Sequence, residues 1–104
     1  MAFFDFLRSN NINEMVAGKT ADTILVDVRE QDEFTAGHIP GAVNVPLSGL
    51  DKAELPWGKA VPIYVYCLAG TRSSRAVQYL QSQGYTNVTN IGGINAWRGE
   101  VEKG

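Results

Sequence analysis

The sequence contains one cysteine, Cys67, among its 104 residues. A single thiol excludes an intrachain disulfide and a zinc site built on several thiolates. Because proteins without disulfides are typical of reducing compartments, we expect a cytoplasmic protein. We also expect that it binds neither a metal ion nor a cofactor.

Positive charge and long apolar segments are also scarce. Nine Lys and Arg residues stand against eleven Asp and Glu residues, giving a net charge of −2 and a pI near 5.2. A protein with this charge balance has no excess of basic residues to form the positive surface that binds nucleic acid, so no nucleic-acid partner is expected. No segment approaches the roughly 20 apolar residues that cross a bilayer, so we expect no membrane span.

The apolar stretch at residues 1–7 carries Asp5, lacks a basic leader and is too short for a signal peptide. Its Phe3, Phe4 and Phe6 have two interpretations: they pack against the domain, or they contact a partner or a membrane surface. The sequence shows no repeat, low-complexity tract or linker. It therefore predicts one compact α/β domain over residues 1–104.

What the sequence does contain is a strand, loop and helix around the cysteine. Residues 62–66 form an uncharged, β-branched and aromatic run that predicts a strand buried on both faces. Residues 68–71 predict a tight connection, and from Ser73 the apolar residues follow helical spacing until Gly84. Cys67 therefore lies at the carboxyl end of a buried strand, the edge where open parallel sheets bind ligands.

The loop after Cys67 is suited to an anion and to a thiolate. Successive backbone N–H groups lead into a helix N-terminus, and Gly70 permits a backbone shape that other residues disfavour. The helix dipole, Arg72 and Arg75 are expected to lower the pKa of the thiol. We identify Cys67 as the candidate catalytic residue, and the candidate substrate-binding residues are Leu68, Ala69, Gly70, Thr71, Arg72 and Ser73.

An ordered set of short motifs resembles the rhodanese family of sulfurtransferases. They are LVDVR at residues 25–29, EF at 33–34, GHIPGA at 37–42 with Asn44 and Pro46, CLAGTRS at 67–73, and GG at 92–93 with Trp97. The resemblance implies a rhodanese-like α/β fold, an open and mainly parallel sheet flanked by helices on both faces. It also implies a cysteine that accepts a sulfane sulfur as a persulfide and passes it to a thiophilic acceptor.

Two further polar positions have open interpretations. Asp27 and Arg29 end a predicted strand at the same edge as Cys67, where Arg29 is either a substrate ligand or a partner of Asp27 and nearby loops. His38 is the only histidine and a candidate general base. It equally fits a structural role in its turn, where it would donate to neighbouring carbonyls, and in the family this position looks structural.

Three functions remain in competition. The first is sulfur transfer, the second is phosphate-monoester hydrolysis on a related fold, and the third is a sulfur carrier or binding module without catalysis. Four residues separate Cys67 from Arg72, one fewer than in the phosphatase loop that this one resembles. The shorter loop favours a sulfane sulfur over a phosphoryl group.

The expected partners follow from the loop and from the single thiol. Many thiosulfate-specialised members carry a basic residue after the cysteine, whereas here Leu68 occupies that position. Fewer positive charges then meet a dianion, so the expected donor is a low-molecular-weight or protein persulfide, with thiosulfate as a slower substitute. Since no second cysteine can relay the sulfur, the acceptor is an outside thiol or cyanide.

The other predicted elements are short. They are an edge strand starting at Ile12, a helix capped by Asn13, a turn at 19–22, a strand at 23–28, a helix at 30–36, a strand at 42–45, a helix at 47–52, a strand at 86–91, a turn at 92–93 and a helix containing Trp97. The polar tail from Gly99 onward is expected to be frayed. Trp57 and Trp97 are expected to pack on the core.

Overall fold

The computed structural model describes residues 11–104, so the predictions for Phe3, Phe4 and Phe6 lie outside the described residues. Its helices are α1 (Ile12–Ala17), α2 (Gln31–Ala36) and α3 (Thr71–Ser82), with 3-10 turns at Leu47–Lys52 and Ile94–Ala96. Its strands are β1 (Ile24–Asp27), β2 (Val43–Asn44), β3 (Ile63–Cys67) and β4 (Val88–Gly93).

The four strands form one parallel sheet in the order β2-β1-β3-β4. In β3, four of the five residues are buried, as expected for a central strand covered on both faces. Parallel pairing needs crossover connections, and here helices and a 3-10 turn provide them. The predicted α/β class and parallel sheet are confirmed.

Alternating side chains of the strands supply a core on each face of the sheet. On one face Val26, Ile63 and Val65 pack with Leu50 of the 3-10 turn and Leu80 of α3. On the other face the packed side chains include Leu25, Tyr66, Ile91 and, from α1, Ile12. Trp57 lies against the first core and Trp97 against the second, as predicted.

The start of the described chain differs from its prediction. Ile12 begins helix α1 and is buried, whereas an edge strand was predicted there. The cap is Asn11, whose side chain accepts a hydrogen bond from the Asn13 N–H at 2.8 Å. Asn13 was predicted as the cap, and the error is one of register, because both asparagines are good capping residues. Gly18 ends α1, as predicted.

The end of the chain also differs. Gly92 and Gly93 are the last two residues of β4 and do not form a separate turn. Trp97 follows the 3-10 turn at Ile94–Ala96 and does not lie within it. The tail is paired, since His38 and Glu102 exchange both backbone hydrogen bonds at 2.9 and 2.8 Å. The prediction of a frayed tail is therefore wrong.

No helix among residues 11–104 is long and apolar enough to cross a membrane.

Candidate active site

The carboxyl ends of the parallel strands bring the predicted site together. Asp27 of β1 is paired with Tyr66 of β3, and Cys67 is paired with Gly93 of β4. The helices that follow β1 and β3 begin at this same edge, at Gln31 and Thr71. This arrangement places the loop after Cys67 beside the first turn of α2 and the end of β4.

Cys67 is the last residue of β3 and is only 1% exposed. Burial alone raises the pKa of its thiol, but hydrogen bonds from the Ser73 side chain and from the backbone N–H groups of Ser73, Gly70 and Ala69 outweigh burial and lower the pKa. The Gly70 N–H donates to Sγ at 3.0 Å, and the Ser73 hydroxyl lies 3.3 Å from Sγ. The thiolate is therefore stabilised mainly by hydrogen bonds from the loop.

The loop adopts its shape because Gly70 takes a left-handed conformation, with φ of +104° at the N-cap of α3. Side chains other than glycine are strained there. This conformation directs the Gly70 N–H back to the sulfur. Helix α3 begins at Thr71, two residues before the predicted start, so Ser73 lies in its first turn.

Ser73 is completely buried and has one hydroxyl proton with three nearby acceptors, of which the Gly92 carbonyl oxygen at 3.5 Å is the most distant. Its Oγ lies 2.8 Å from Oδ1 of Asn90 and 3.3 Å from Sγ of Cys67. Asn90 also accepts from the Gly92 N–H at 2.9 Å and donates from Nδ2 to the Gly70 carbonyl at 3.1 Å. Asn90 of β4 thus contacts both Ser73 and Gly70, the two residues that lie within hydrogen-bond distance of the sulfur.

Arg72 makes an ion pair that the sequence analysis did not predict. Its Nη1 and Nη2 donate to Oε1 and Oε2 of Glu33 at 2.7 and 3.0 Å. This pair holds the pKa of Glu33 near 2, well below its ordinary value of 4.5, and raises the pKa of Arg72. Cys67 also contributes to the rise in the pKa of Arg72, after Glu33. The guanidinium of Arg72 is thus bound to a carboxylate of α2 and does not face the sulfur of Cys67 alone.

The remaining loop residues have separate positions. Leu68 is 47% exposed, and its carbonyl accepts from the Asn95 N–H at 3.1 Å. Thr71 and Arg75 are exposed on α3. Among the predicted binding residues, Ala69, Gly70 and Ser73 have N–H groups that act on the sulfur.

Gly93 allows strand β4 to approach the loop. A Cβ at this position would lie 2.0 Å from the Leu68 carbonyl oxygen and 2.6 Å from the Ala69 Cα. The lack of a side chain is therefore required for the backbones to pack at this distance.

Arg29 contacts Asp27 and not the loop after Cys67. It is 6% exposed, its Nε and Nη2 donate to the Asp27 carboxylate at 2.8 to 3.1 Å, and Nη2 also donates to the Gly37 carbonyl at 2.7 Å. Asp27 accepts from the Arg29 N–H as well. These contacts favour the interpretation that the pair fixes the sheet edge.

His38 is buried in the turn after α2. Its Nδ1 donates to the Phe34 carbonyl at 2.9 Å, and its ring stacks on that of Phe34 with centroids 3.7 Å apart. Its Nε2 lies 3.7 Å from a carboxylate oxygen of Glu102. Both ring nitrogens therefore face groups of the surrounding turn and tail, the Phe34 carbonyl and the Glu102 carboxylate. These contacts favour the structural interpretation of His38.

Sequence reasoning missed Glu33 and Asn90 as members of the site. Glu33 lies 39 residues from Arg72 in the chain, and Asn90 lies 17 residues from Ser73. The usable signal for Glu33 was an acidic residue in the first turn of a helix that starts at the ligand-binding edge. Asn90 had only one signal, a polar residue near the end of a predicted strand.

The chain is similar in sequence and structure to proteins of one known family. The rhodanese-like domain family matches residues 10–100. The uncharacterized protein YqhL of Bacillus subtilis is 43% identical over 79 residues, which cover 75% of this chain and 63% of that protein. The chain thus spans less than two thirds of this relative.

Two other comparisons cover most of both chains. A protein of Allochromatium vinosum named sulfurtransferase is 39% identical over 92 residues, covering 86% of this chain and 83% of the relative. The solved structure described as a rhodanese with anions from E. coli has a TM-score of 0.68 and 34% identity, covering 79% of this chain and 99% of that chain. The chain belongs to the rhodanese-like domain family, which includes relatives named sulfurtransferases.

Proposed function

We propose that this protein is a sulfurtransferase that moves a sulfane sulfur through a persulfide on Cys67. The observation that carries the proposal is the buried thiol whose pKa is lowered by hydrogen bonds from Ser73, Gly70 and Ala69. A thiolate is the nucleophile in thiol chemistry, and a lowered pKa increases the fraction of Cys67 that is ready for attack. The relative named sulfurtransferase supports this proposal.

Sulfur is accepted and released in two balanced displacements. With thiosulfate, the Cys67 thiolate forms a bond to the sulfane sulfur, the S–S bond of thiosulfate breaks, and its electron pair leaves with sulfite. The products are the Cys67 persulfide anion and sulfite. Cyanide then attacks the terminal sulfur, the S–S bond of the persulfide breaks, and thiocyanate leaves while the electron pair returns to Cys67 as thiolate.

The loop residues contribute to both steps by orienting backbone N–H groups toward the reacting sulfur. We propose that the N–H groups of residues 68–73 surround the terminal sulfur of the persulfide, where hydrogen bonds of about 2.7 to 3.1 Å stabilise negative charge. The description of the E. coli neighbour as a rhodanese with anions is in keeping with an anion site in this fold. We propose that the donor arrives at the mouth of the site, the surface formed by the exposed Leu68 and Thr71 and the half-buried Arg72.

The donor is thiosulfate or a persulfide, and Leu68 favours the persulfide. A neutral side chain after the cysteine supplies one positive charge fewer for a dianion. The acceptor comes from outside the chain, because Cys67 is the only thiol in the sequence. The same single thiol supports a cytoplasmic location. We also propose that residues 1–104 form one rhodanese-like domain, and that this domain works without a metal ion or a cofactor.

Mass spectrometry tests the intermediate. The unmodified protein should gain the mass of one sulfur atom on Cys67 after thiosulfate or glutathione persulfide, and should lose it to cyanide as thiocyanate. Cys67→Ser should remain folded and form neither persulfide nor thiocyanate, since a serine hydroxyl has no comparable nucleophilicity at neutral pH. Thiocyanate production by folded Cys67→Ser would contradict the proposal.

The same samples separate the two competing functions. A carrier without catalysis would form the persulfide but turn over no faster than free cysteine persulfide. A phosphatase would hydrolyse an aryl phosphate, and this activity would be lost on Cys67→Ser. We expect catalytic turnover of thiosulfate and no hydrolysis of aryl phosphate.

A further inference from the structure

Glu33 is held at the mouth of the site by contacts on two sides. Its Oε1 accepts the Glu30 N–H at 3.0 Å, which forms a capping box at the start of α2. Its two carboxylate oxygens also accept the Nη1 and Nη2 groups of Arg72. Glu30 is itself fixed by the Ser48 hydroxyl at 2.9 Å. The carboxylate therefore occupies a fixed position beside the loop.

This ion pair changes the charge that an incoming donor meets. Arg72 is the basic residue of the loop, and its planar guanidinium is bound bidentately by Glu33, so the pair has no net charge. About a third of each side chain is exposed, so both charges face the solvent from which the donor comes. The exposed Leu68 adds no charge. The Arg72–Glu33 pair and Leu68 together therefore supply no net positive charge that would select a dianion.

We infer that Glu33 is a specificity-determining residue that lowers the preference of the site for dianionic sulfur donors relative to donors of lower charge. The inference rests on the proposed sulfur transfer through Cys67. Glu33 acts on the approach of the donor through Arg72 and the local field. It takes no part in the displacement at sulfur.

The test compares two donors that differ by one charge and transfer the same atom. Thiosulfate is a dianion that leaves as sulfite, and methanethiosulfonate is a monoanion that leaves as methanesulfinate. Both give the same Cys67 persulfide. The measured quantity is the ratio of kcat/KM for thiosulfate to kcat/KM for methanethiosulfonate, with cyanide as acceptor at low ionic strength.

Four forms of the pair make the prediction quantitative. Relative to the unmodified protein, Glu33→Gln gives the pair a charge of +1, Arg72→Gln gives −1, and the double variant returns it to zero. The ratio should rise about fivefold in Glu33→Gln and fall about fivefold in Arg72→Gln. The two donors differ by one unit of charge, and one unit charge at contact distance in water changes the binding of such a charge by about fivefold. It should return near its original value in the double variant.

The substitution and its control are chosen to preserve structure. Glutamine is accepted at this position of a capping box, so Glu33→Gln keeps the start of α2. Asp32→Asn removes one charge from an exposed position of the same helix and should change the ratio by less than about twofold. High salt should reduce the fivefold shifts, since these charges are partly exposed.

A structural role for Glu33 would give a different pattern. Both donors would then lose kcat/KM in parallel on Glu33→Gln, alone or added to Arg72→Gln, and a ratio that this substitution leaves unchanged would overturn the inference. If Glu33→Gln does not fold, Arg72→Gln and the double variant still decide between the two patterns. Failure of the underlying function is distinct, because the unmodified protein would then form no persulfide with either donor.

Discussion

At Cys67, burial and hydrogen bonding act on the thiol in opposite directions. Burial disfavours the thiolate, and the donors from Ser73, Gly70 and Ala69 favour it strongly enough to lower the pKa. Arg72 and Arg75 contribute less to the lower pKa than their positions in the sequence suggest. In the structure Arg72 is bound to Glu33 and Arg75 is exposed, so the lower pKa depends mainly on loop geometry.

The first prediction concerns the hydroxyl of Ser73. Ser73→Ala removes the largest contribution that lowers the pKa of Cys67, so the pKa of the thiol should rise. Alkylation by iodoacetamide measured against pH should show its midpoint at higher pH, and alkylation at pH 7 should slow several-fold, because a neutral thiol reacts poorly. Ser74→Ala serves as the control for loss of a serine from α3. An unchanged midpoint in folded Ser73→Ala would assign Ser73 a packing role only.

A second prediction separates stability from chemistry at His38. His38→Ala loses the hydrogen bond to Phe34 and the ring stacking on it, and each contact contributes about 0.5 to 1.5 kcal/mol. The melting temperature should therefore fall by roughly 4 to 15 °C in a domain of this size. Turnover per folded molecule should change by less than about threefold.

Thermal unfolding and cyanide-dependent turnover on one sample check this assignment. A normal melting temperature with turnover reduced by about a thousandfold, a loss typical of catalytic groups, would make His38 a catalytic residue instead.

Elements with strong local signals were the easiest to predict. The uncharged run at residues 62–66 and the helical spacing up to Gly84 predicted β3 and α3 to within two residues, because both depend on local periodicity and end signals. The pairing of His38 with Glu102 could not be predicted in this way, since it joins distant backbone groups. The Arg72 and Glu33 ion pair was missed for the same reason.

Strand β4 and the loop after Cys67 provide a prediction at this scale. In Gly93→Ala the new Cβ would lie 2.0 Å from the Leu68 carbonyl oxygen, so the loop or the strand must shift. A shift of about 1 Å at a site that depends on orientation reduces catalysis about a hundredfold. The kcat/KM for thiosulfate should therefore fall by about that factor.

The matched control is Gly49→Ala, where a Cβ would meet nothing within 4 Å. It should leave turnover and melting temperature near those of the unmodified protein. The pH midpoint of Cys67 alkylation should also rise in Gly93→Ala, because displaced N–H groups stabilise the thiolate less. Unimpaired turnover in Gly93→Ala would show that close packing of β4 on the loop is not required.

Over the whole molecule, the parallel sheet converts separate sequence motifs into one site. Segments that follow β1, β3 and β4 meet because parallel strands share one carboxyl edge, so the place of the candidate site around Cys67 could be predicted from the sequence. The charge around that site could not be predicted in this way, because it depends on side chains that meet only after folding. Glu33 and Arg72 are the clearest example.

The last prediction follows from the presence of one thiol in the entire chain. Since no second cysteine can accept the sulfur from Cys67, thiosulfate without an acceptor should release one sulfite for each protein molecule and then stop. Rapid-quench measurement of sulfite checks this stoichiometry, with Cys67→Ser as the control that releases none. Addition of cyanide should restart sulfite release with one thiocyanate formed for each further sulfite. Continuous sulfite release without an acceptor would mean that the sulfur leaves Cys67 by a route that this chemistry does not provide.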